Sequence, residues 1–114
     1  MKVIIAGGRE ATNPEDLLEA LYVTELDITE VVCGGAKGAD TLGRLWAEQN
    51  NIDVKMFPAN WNKFGKSAGY KRNVEMAEYA DALIALWDGK SRGTKHMIDI
   101  AKRQGLTVEI YKLT

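Results

Sequence analysis

Short apolar runs alternate with segments of helical periodicity along the whole chain. Lys2–Ala6, Thr29–Cys33, Val54–Phe57, Ala82–Trp87 and Leu106–Tyr111 are rich in β-branched and aromatic residues and predict five strands. Four helical patterns lie between them. Asn13-Pro14-Glu15-Asp16 is a helix start, with Asn as cap, Pro at the first helical position and carboxylates near the positive end of the dipole. Leu17, Leu18 and Leu21 are expected to form its buried stripe. Asp40 is placed to cap a second helix that buries Leu42, Leu45 and Trp46. Tyr70, Val74 and Ala77 mark a third, Ile98 and Ala101 a fourth, and Gly105 is positioned to end the last. The longest connection, Pro58 to Ala68, reads as irregular.

Strand–helix alternation five strands deep predicts an α/β domain: a Rossmann-like, three-layer fold with a five-stranded parallel sheet and helices on both faces. Val3-Ile4-Ile5-Ala6 and Ala82-Leu83-Ile84-Ala85-Leu86-Trp87 are continuous apolar runs, as strands covered on both sides require. Right-handed crossovers leave the orders 3-2-1-4-5 and 2-1-3-4-5, of which the first is preferred. The chain's 114 residues suit one domain spanning 1–114.

Composition narrows the function classes. Charged residues are 27% and hydrophobic residues 46%, as in ordinary globular domains, and no apolar stretch approaches the roughly 20 residues of a membrane span. Met-Lys-Val-Ile-Ile-Ala is too short for a signal peptide, so a cytoplasmic location without membrane partners is expected. With one cysteine, Cys33, and one histidine, His96, there is neither an intrachain disulfide nor a His/Cys metal site to expect. The net charge of −1 is unevenly spread: four Lys/Arg against ten Asp/Glu in residues 1–54, but eight against four in 55–95. A long nucleic-acid footprint calls for a larger basic excess. A local basic patch suits a few phosphates.

Nine of the eleven glycines follow strands: Gly7, Gly8, Gly34, Gly35, Gly38, Gly65, Gly69, Gly89 and Gly93. In an open parallel sheet these positions share the carboxyl edge, where ligands bind at the switch in strand order and helix N-termini attract anions. Tight turns explain one or two glycines per loop. Gly34-Gly35-Ala36-Lys37-Gly38-Ala39-Asp40 is richer than a turn needs. The standard phosphate motifs are nevertheless absent. Two Gly-Lys-Ser triplets, at 65–67 and 89–91, lack the upstream glycine of a P-loop, having Asn60 and Ile84 there, and no G-x-G-x-x-G occurs. In the loop 87–96, Asp88, Gly89, Ser91, Gly93 and Thr94 are candidates to hold a phosphate or ribose, with His96 early in the following helix. Arg9, Lys37 and Arg72, the last beside Asn73, are candidate charge partners for phosphate. Asp40 and Asp88 are candidates for ribose hydroxyls. Trp61 suits either base stacking or a small apolar cluster under its loop.

Five segments in order carry a resemblance: Val3-Ile4-Ile5-Ala6-Gly7-Gly8-Arg9, Gly34 through Asp40, Phe57-Pro58-Ala59-Asn60-Trp61, Ala68-Gly69-Tyr70-Lys71-Arg72-Asn73, and Ala80-Asp81 through Gly93-Thr94-Lys95-His96. Together they resemble the SLOG superfamily and, within it, the small cpYpsA-related (YspA-type) proteins of bacteria and phages. The resemblance implies a Rossmann-like fold that binds a nucleotide or nucleotide-derived ligand in signalling or conflict systems, as a sensor or sequestering module. Magnesium accompanying the phosphates and a homo-oligomeric state are further expectations.

More distantly, the sequence is similar to the Lonely Guy phosphoribohydrolases, which use an arginine in an R-K-x-x-M run and a glutamate in a P-G-G-x-G-T-x-x-E loop. Arg72-Asn73-Val74-Glu75-Met76 keeps the arginine, and Gly93-Thr94 keeps part of the second loop, but Met97 stands in the glutamate's place. Methionine can neither stabilise an oxocarbenium ion nor move a proton. The first alternative, a nucleotide hydrolase, therefore rests on Arg72 and His96 as catalytic candidates. The second alternative is single-stranded DNA binding, since another SLOG branch includes a DNA-processing protein.

Overall fold

The computed structural model describes residues 1–113. Five strands, β1 (Lys2–Gly7), β2 (Glu30–Cys33), β3 (Asp53–Met56), β4 (Ala82–Trp87) and β5 (Thr107–Lys112), form one parallel sheet in the order β3-β2-β1-β4-β5. Each strand starts and ends within one residue of the sequence expectation. The helices are α1 (Pro14–Thr24), α2 (Ala39–Gln49), α3 (Trp61–Phe64), α4 (Ala68–Tyr79) and α5 (Arg92–Arg103), with a 3₁₀ turn at Gly65–Ser67 joining α3 to α4.

Alternation along the central strands divides the core in two. Val3 and Ile5 of β1, with Ala82, Ile84 and Leu86 of β4, face Leu17 and Ala20 of α1 and Leu42 and Ala47 of α2. Ile4 and Ala6, with Leu83 and Ala85, face Met76 and Ala77 of α4 and Met97, Ile98 and Ala101 of α5. The continuous apolar runs of β1 and β4 thus reflect two covered faces. β3 and β5, at the two edges, are largely exposed.

Three helix stripes differ from the sequence reading. Leu18 and Leu45 are exposed, and Leu17 and Ala20 of α1 and Leu42, Gly43 and Ala47 of α2 take the buried positions, so the faces turned to the sheet are offset from the predicted stripes. A Cβ on Gly43 would lie 2.8 Å from Ile5 Cβ. Tyr70 is also exposed, and Asn73, Met76 and Ala77 form the inward face of α4. The segment 58–68, expected to be irregular, contains α3. Its start is signalled by Asn60, whose side chain accepts from the Lys63 N–H at 3.1 Å.

Candidate functional site

β2 and β4 flank β1, and the helices that follow them pack on opposite faces of the sheet, which opens a crevice beyond the carboxyl ends of β1 and β4. A cleft of about 400 Å³ occupies it. The β1–α1 connection contributes Gly7, Gly8 and Arg9, and the β2–α2 connection contributes Ala36, Lys37 and Asp40. Trp61, Lys66, Gly69, Tyr70, Arg72 and Asn73 come from the α3–α4 segment, and Ser91, Gly93 and Thr94 from the start of α5. Ala6, Met76 and Met97 form the apolar floor.

The β2–α2 loop is fixed by its own residues. The helix cap is Gly38, and Asp40 lies inside the first turn, so Asp40 is not the cap its sequence position suggested. Its Oδ2 instead accepts from the Gly34 N–H at 3.0 Å and the Ala36 N–H at 3.1 Å, which curls the loop. Burial pushes the Asp40 carboxyl above its ordinary value of 3.8, against the pull of the Ala36 amide, the Arg72 charge and the Gly34 amide. Gly38 has φ 86°, and a Cβ there would lie 2.2 Å from the Gly8 carbonyl oxygen. Only glycine allows the first two loops to touch.

Arg72 reaches across from α4. Its Nη1 donates to the Gly34 carbonyl at 2.8 Å, and its Nε donates to Asn73 Oδ1 at 3.2 Å. A Cβ on Gly34 would lie 2.2 Å from that Nη1, so Gly34 makes room for the guanidinium. Asn73, almost fully buried, continues the chain of contacts. Its Nδ2 lies 3.1 Å from His96 Nδ1 and 3.4 Å from the Gly93 carbonyl. With Asn73 donating, His96 accepts at Nδ1 as a neutral ring, and burial lowers its pKa from 6.5. Its ring packs against Tyr70, with centroids 4.4 Å apart.

In the β4–α5 loop, Asp88 Oδ1 accepts from the Lys90 and Ser91 N–H groups, both at 2.8 Å. Those bonds hold the Asp88 carboxyl below its ordinary value. Ser91 Oγ and Thr94 Oγ1 are 3.1 Å apart and face the cleft, and Trp87 Nε1 donates to the Ser91 carbonyl at 3.2 Å. Neither Ser91 nor Gly38 caps its helix with a side chain, so α5 and α2 begin at the cleft with first-turn amides free of side-chain acceptors, whereas the first amide of α4, at Ala68, donates to the Gly65 carbonyl of the preceding 3₁₀ turn. α1, which contributes no residue to the cleft, is capped by Asn13, whose Oδ1 accepts from the Glu15 N–H at 3.0 Å.

The structure therefore brings Gly7, Gly8, Arg9, Lys37, Asp40, Arg72, Asn73, Ser91, Gly93 and Thr94 to one cleft. Gly34, Gly35, Gly38, Asp88, Gly89 and His96 are not among its lining residues. Asp88 Oδ1 is engaged by the amides of its own loop, and His96 lies against Asn73. Lys66, Tyr70, Met76 and Met97 also line the cleft, and sequence reasoning did not assign them to the site. Lys66 lay in a discarded Gly-Lys-Ser triplet, and the two methionines entered only through the phosphoribohydrolase comparison, Met76 closing the Arg72 run and Met97 in the glutamate's place. Four cations, Arg9, Lys37, Lys66 and Arg72, surround a single carboxylate, Asp40, which is already bonded to two amides.

A five-stranded parallel sheet of this order with helices on both faces defines a Rossmann-like α/β domain. Within that class the chain belongs to the YspA, cpYpsA-related SLOG family, whose model matches residues 1–64. It is 34% identical over 117 residues to the gene 61 protein of Mycobacterium phage D29, covering 94% of this chain and 93% of that protein. Among solved structures it is similar to DNA processing protein A (DprA) from Streptococcus pneumoniae. The TM-score is 0.77 at 18% identity, over 96% of this chain and 49% of that one. This chain thus spans about half the length of that structure, and the likeness shows the shared fold. No helix among the described residues is long and apolar enough to cross a membrane.

Proposed function

We propose that the chain binds a phosphorylated ligand of nucleotide type in this cleft. The observation that carries the reading is the convergence of two helix N-termini without side-chain caps, those of α2 and α5, with Arg9, Lys37, Lys66 and Arg72. Free first-turn amides and the helix dipoles supply directed donors for phosphate oxygens, and the cations supply net charge. A volume of about 400 Å³ lies within the usual range for small-molecule sites. Any magnesium would travel with the ligand's phosphates, since among the described residues no group of three or more His, Cys, Asp or Glu is placed to hold a metal.

Binding without turnover is the favoured form. Met97 lies where the related hydrolases carry a glutamate, and the one lining carboxylate is engaged in the loop. A sensor or sequestering role in phage or bacterial signalling accords with the phage relative.

The test is calorimetric titration with nucleoside mono- and diphosphates beside the unphosphorylated nucleosides. The phosphorylated forms are expected to bind at least about tenfold more tightly. The double variant Arg9→Ala/Lys37→Ala is expected to lose most of that difference while melting like the parent. Equal affinity for nucleoside and nucleotide would sink the phosphate site, and release of free base or ribose phosphate during titration would establish the hydrolase instead.

A further inference from the structure

We propose that the Trp61 indole is the stacking platform for a planar aromatic ring, so the ligand carries its base at the α3 end of the cleft and its phosphates at the N-termini of α2 and α5. The proposal rests on the ligand reading above and adds the orientation and the chemical class of its second half.

The first observation is the state of the ring. Trp61 lines the cleft and is 59% exposed. Phe57 packs on Tyr79, Tyr70 on His96, and Phe64 lies under the ammonium groups of Lys63 and Lys71. Among the described residues no aromatic ring or cation is stacked on Trp61. Tyr70, the other aromatic in the lining, already has its ring against His96. An apolar ring of this size left open beside a polar cleft is a surface suited to a π-face.

The second observation is how the ring is held. Residues 60–67 are all exposed and contribute nothing to either core cluster, so α3 does not exist for packing. Yet it is well fixed. The Asn60 side chain caps it, the Gly65 N–H donates to the Trp61 carbonyl, and Ser67 Oγ donates to the Phe64 carbonyl at 2.9 Å. Where α4 begins, a Cβ on Gly69 would lie 3.5 Å from Trp61 Cη2, so the edge of the indole rests on the first turn of that helix. A short element is thus anchored at both ends and presents one aromatic ring to the cleft.

The third observation is the division of the lining. Ser91, Gly93 and Thr94 supply hydroxyls and helix amides on one side, and Trp61 supplies an apolar face on another. A ligand with one anionic and one aromatic end satisfies both. A sugar phosphate or inorganic pyrophosphate leaves the indole in water.

The experiment compares ADP, GDP, CDP and UDP with ribose 5-phosphate, pyrophosphate and the four nucleosides, by calorimetry on the parent chain, Trp61→Ala and Trp61→Phe. At least one nucleoside diphosphate is expected to exceed ribose 5-phosphate in affinity by about tenfold to a hundredfold. Trp61→Ala should erase that advantage without altering ribose 5-phosphate binding, and Trp61→Phe should restore most of it. The exposed position predicts unchanged melting temperatures. The proposal is overturned if the base confers no advantage, if Trp61→Ala weakens base-bearing and baseless ligands alike, or if no nucleoside or nucleotide binds. A different pattern removes the phosphate reading alone: nucleosides binding as well as nucleotides, in a Trp61-dependent manner, with no binding of ribose 5-phosphate or pyrophosphate.

Discussion

Single residues in this protein do work that their type alone does not reveal. His96 is the one histidine, and it serves as the acceptor at the end of a polar chain from Gly34 through Arg72 and Asn73. Burial lowers its pKa from 6.5, so the unfolded chain binds the proton more readily than the folded one. The stability His96 contributes is therefore present above about pH 6.5 and is lost as pH falls through the lower folded value. The single imidazole resonance should titrate below 6.5, and His96→Phe should flatten the acid side of the stability profile between pH 7 and 5. A folded pKa at or above 6.5 would contradict the buried, neutral assignment. Cys33 illustrates the same physics on a thiol. Burial, followed by the nearby Asp40 charge, raises it to about 11, so a thiol reagent at pH 8 should label it only on unfolding.

At the scale of elements, contact distances between helix and sheet decide which residues are allowed. α2 lies on β1 closely enough that Gly43→Ala would place its methyl 2.8 Å from Ile5 Cβ, the rigid root of a β-branched side chain. Alanine improves helix propensity by about 1 kcal/mol, but overpacking costs about 1–3 kcal/mol. The expected net result is a loss of stability in urea denaturation. In an Ile5→Ala background that loss should shrink, because the Cγ2 and Cγ1 contacts at 3.0 and 3.1 Å are gone while the Cβ contact remains. An undiminished penalty in the double variant would place the cause inside the helix.

At the scale of the molecule, the acidic first half and the basic middle meet around one cleft. Arg9 and Lys37 come from the acidic half, Lys66 and Arg72 from the basic one, and the fold gathers them although no stretch of sequence clusters them. The field is local, and the net charge of −1 leaves little attraction for a long polyanion. A single-stranded oligonucleotide of about 20 bases should therefore bind no more tightly than a mononucleotide at roughly 0.15 M salt. Affinity that climbs with oligonucleotide length would move the single-stranded DNA reading to first place.

The sequence by itself determined the class of fold, the sheet order preferred from handedness and the boundaries of all five strands, because apolar alternation and turn residues are local signals that a doubly covered sheet must display. It also pointed to the glycine-rich edge, since each such loop follows its strand directly. Only the tertiary structure decided which side chains share the cleft. Gly34 has its role because Arg72, 38 residues away, lies over it, and Gly38 because Gly8 does. Asp40 and Asp88, plausible ribose ligands by position, are drawn into their own loops by backbone amides that a linear reading cannot place. α3 and the orientation of Trp61 depend on a cap, a turn and a neighbouring helix acting together. Contacts across long sequence separations set these assignments, and no periodicity within the chain encodes them.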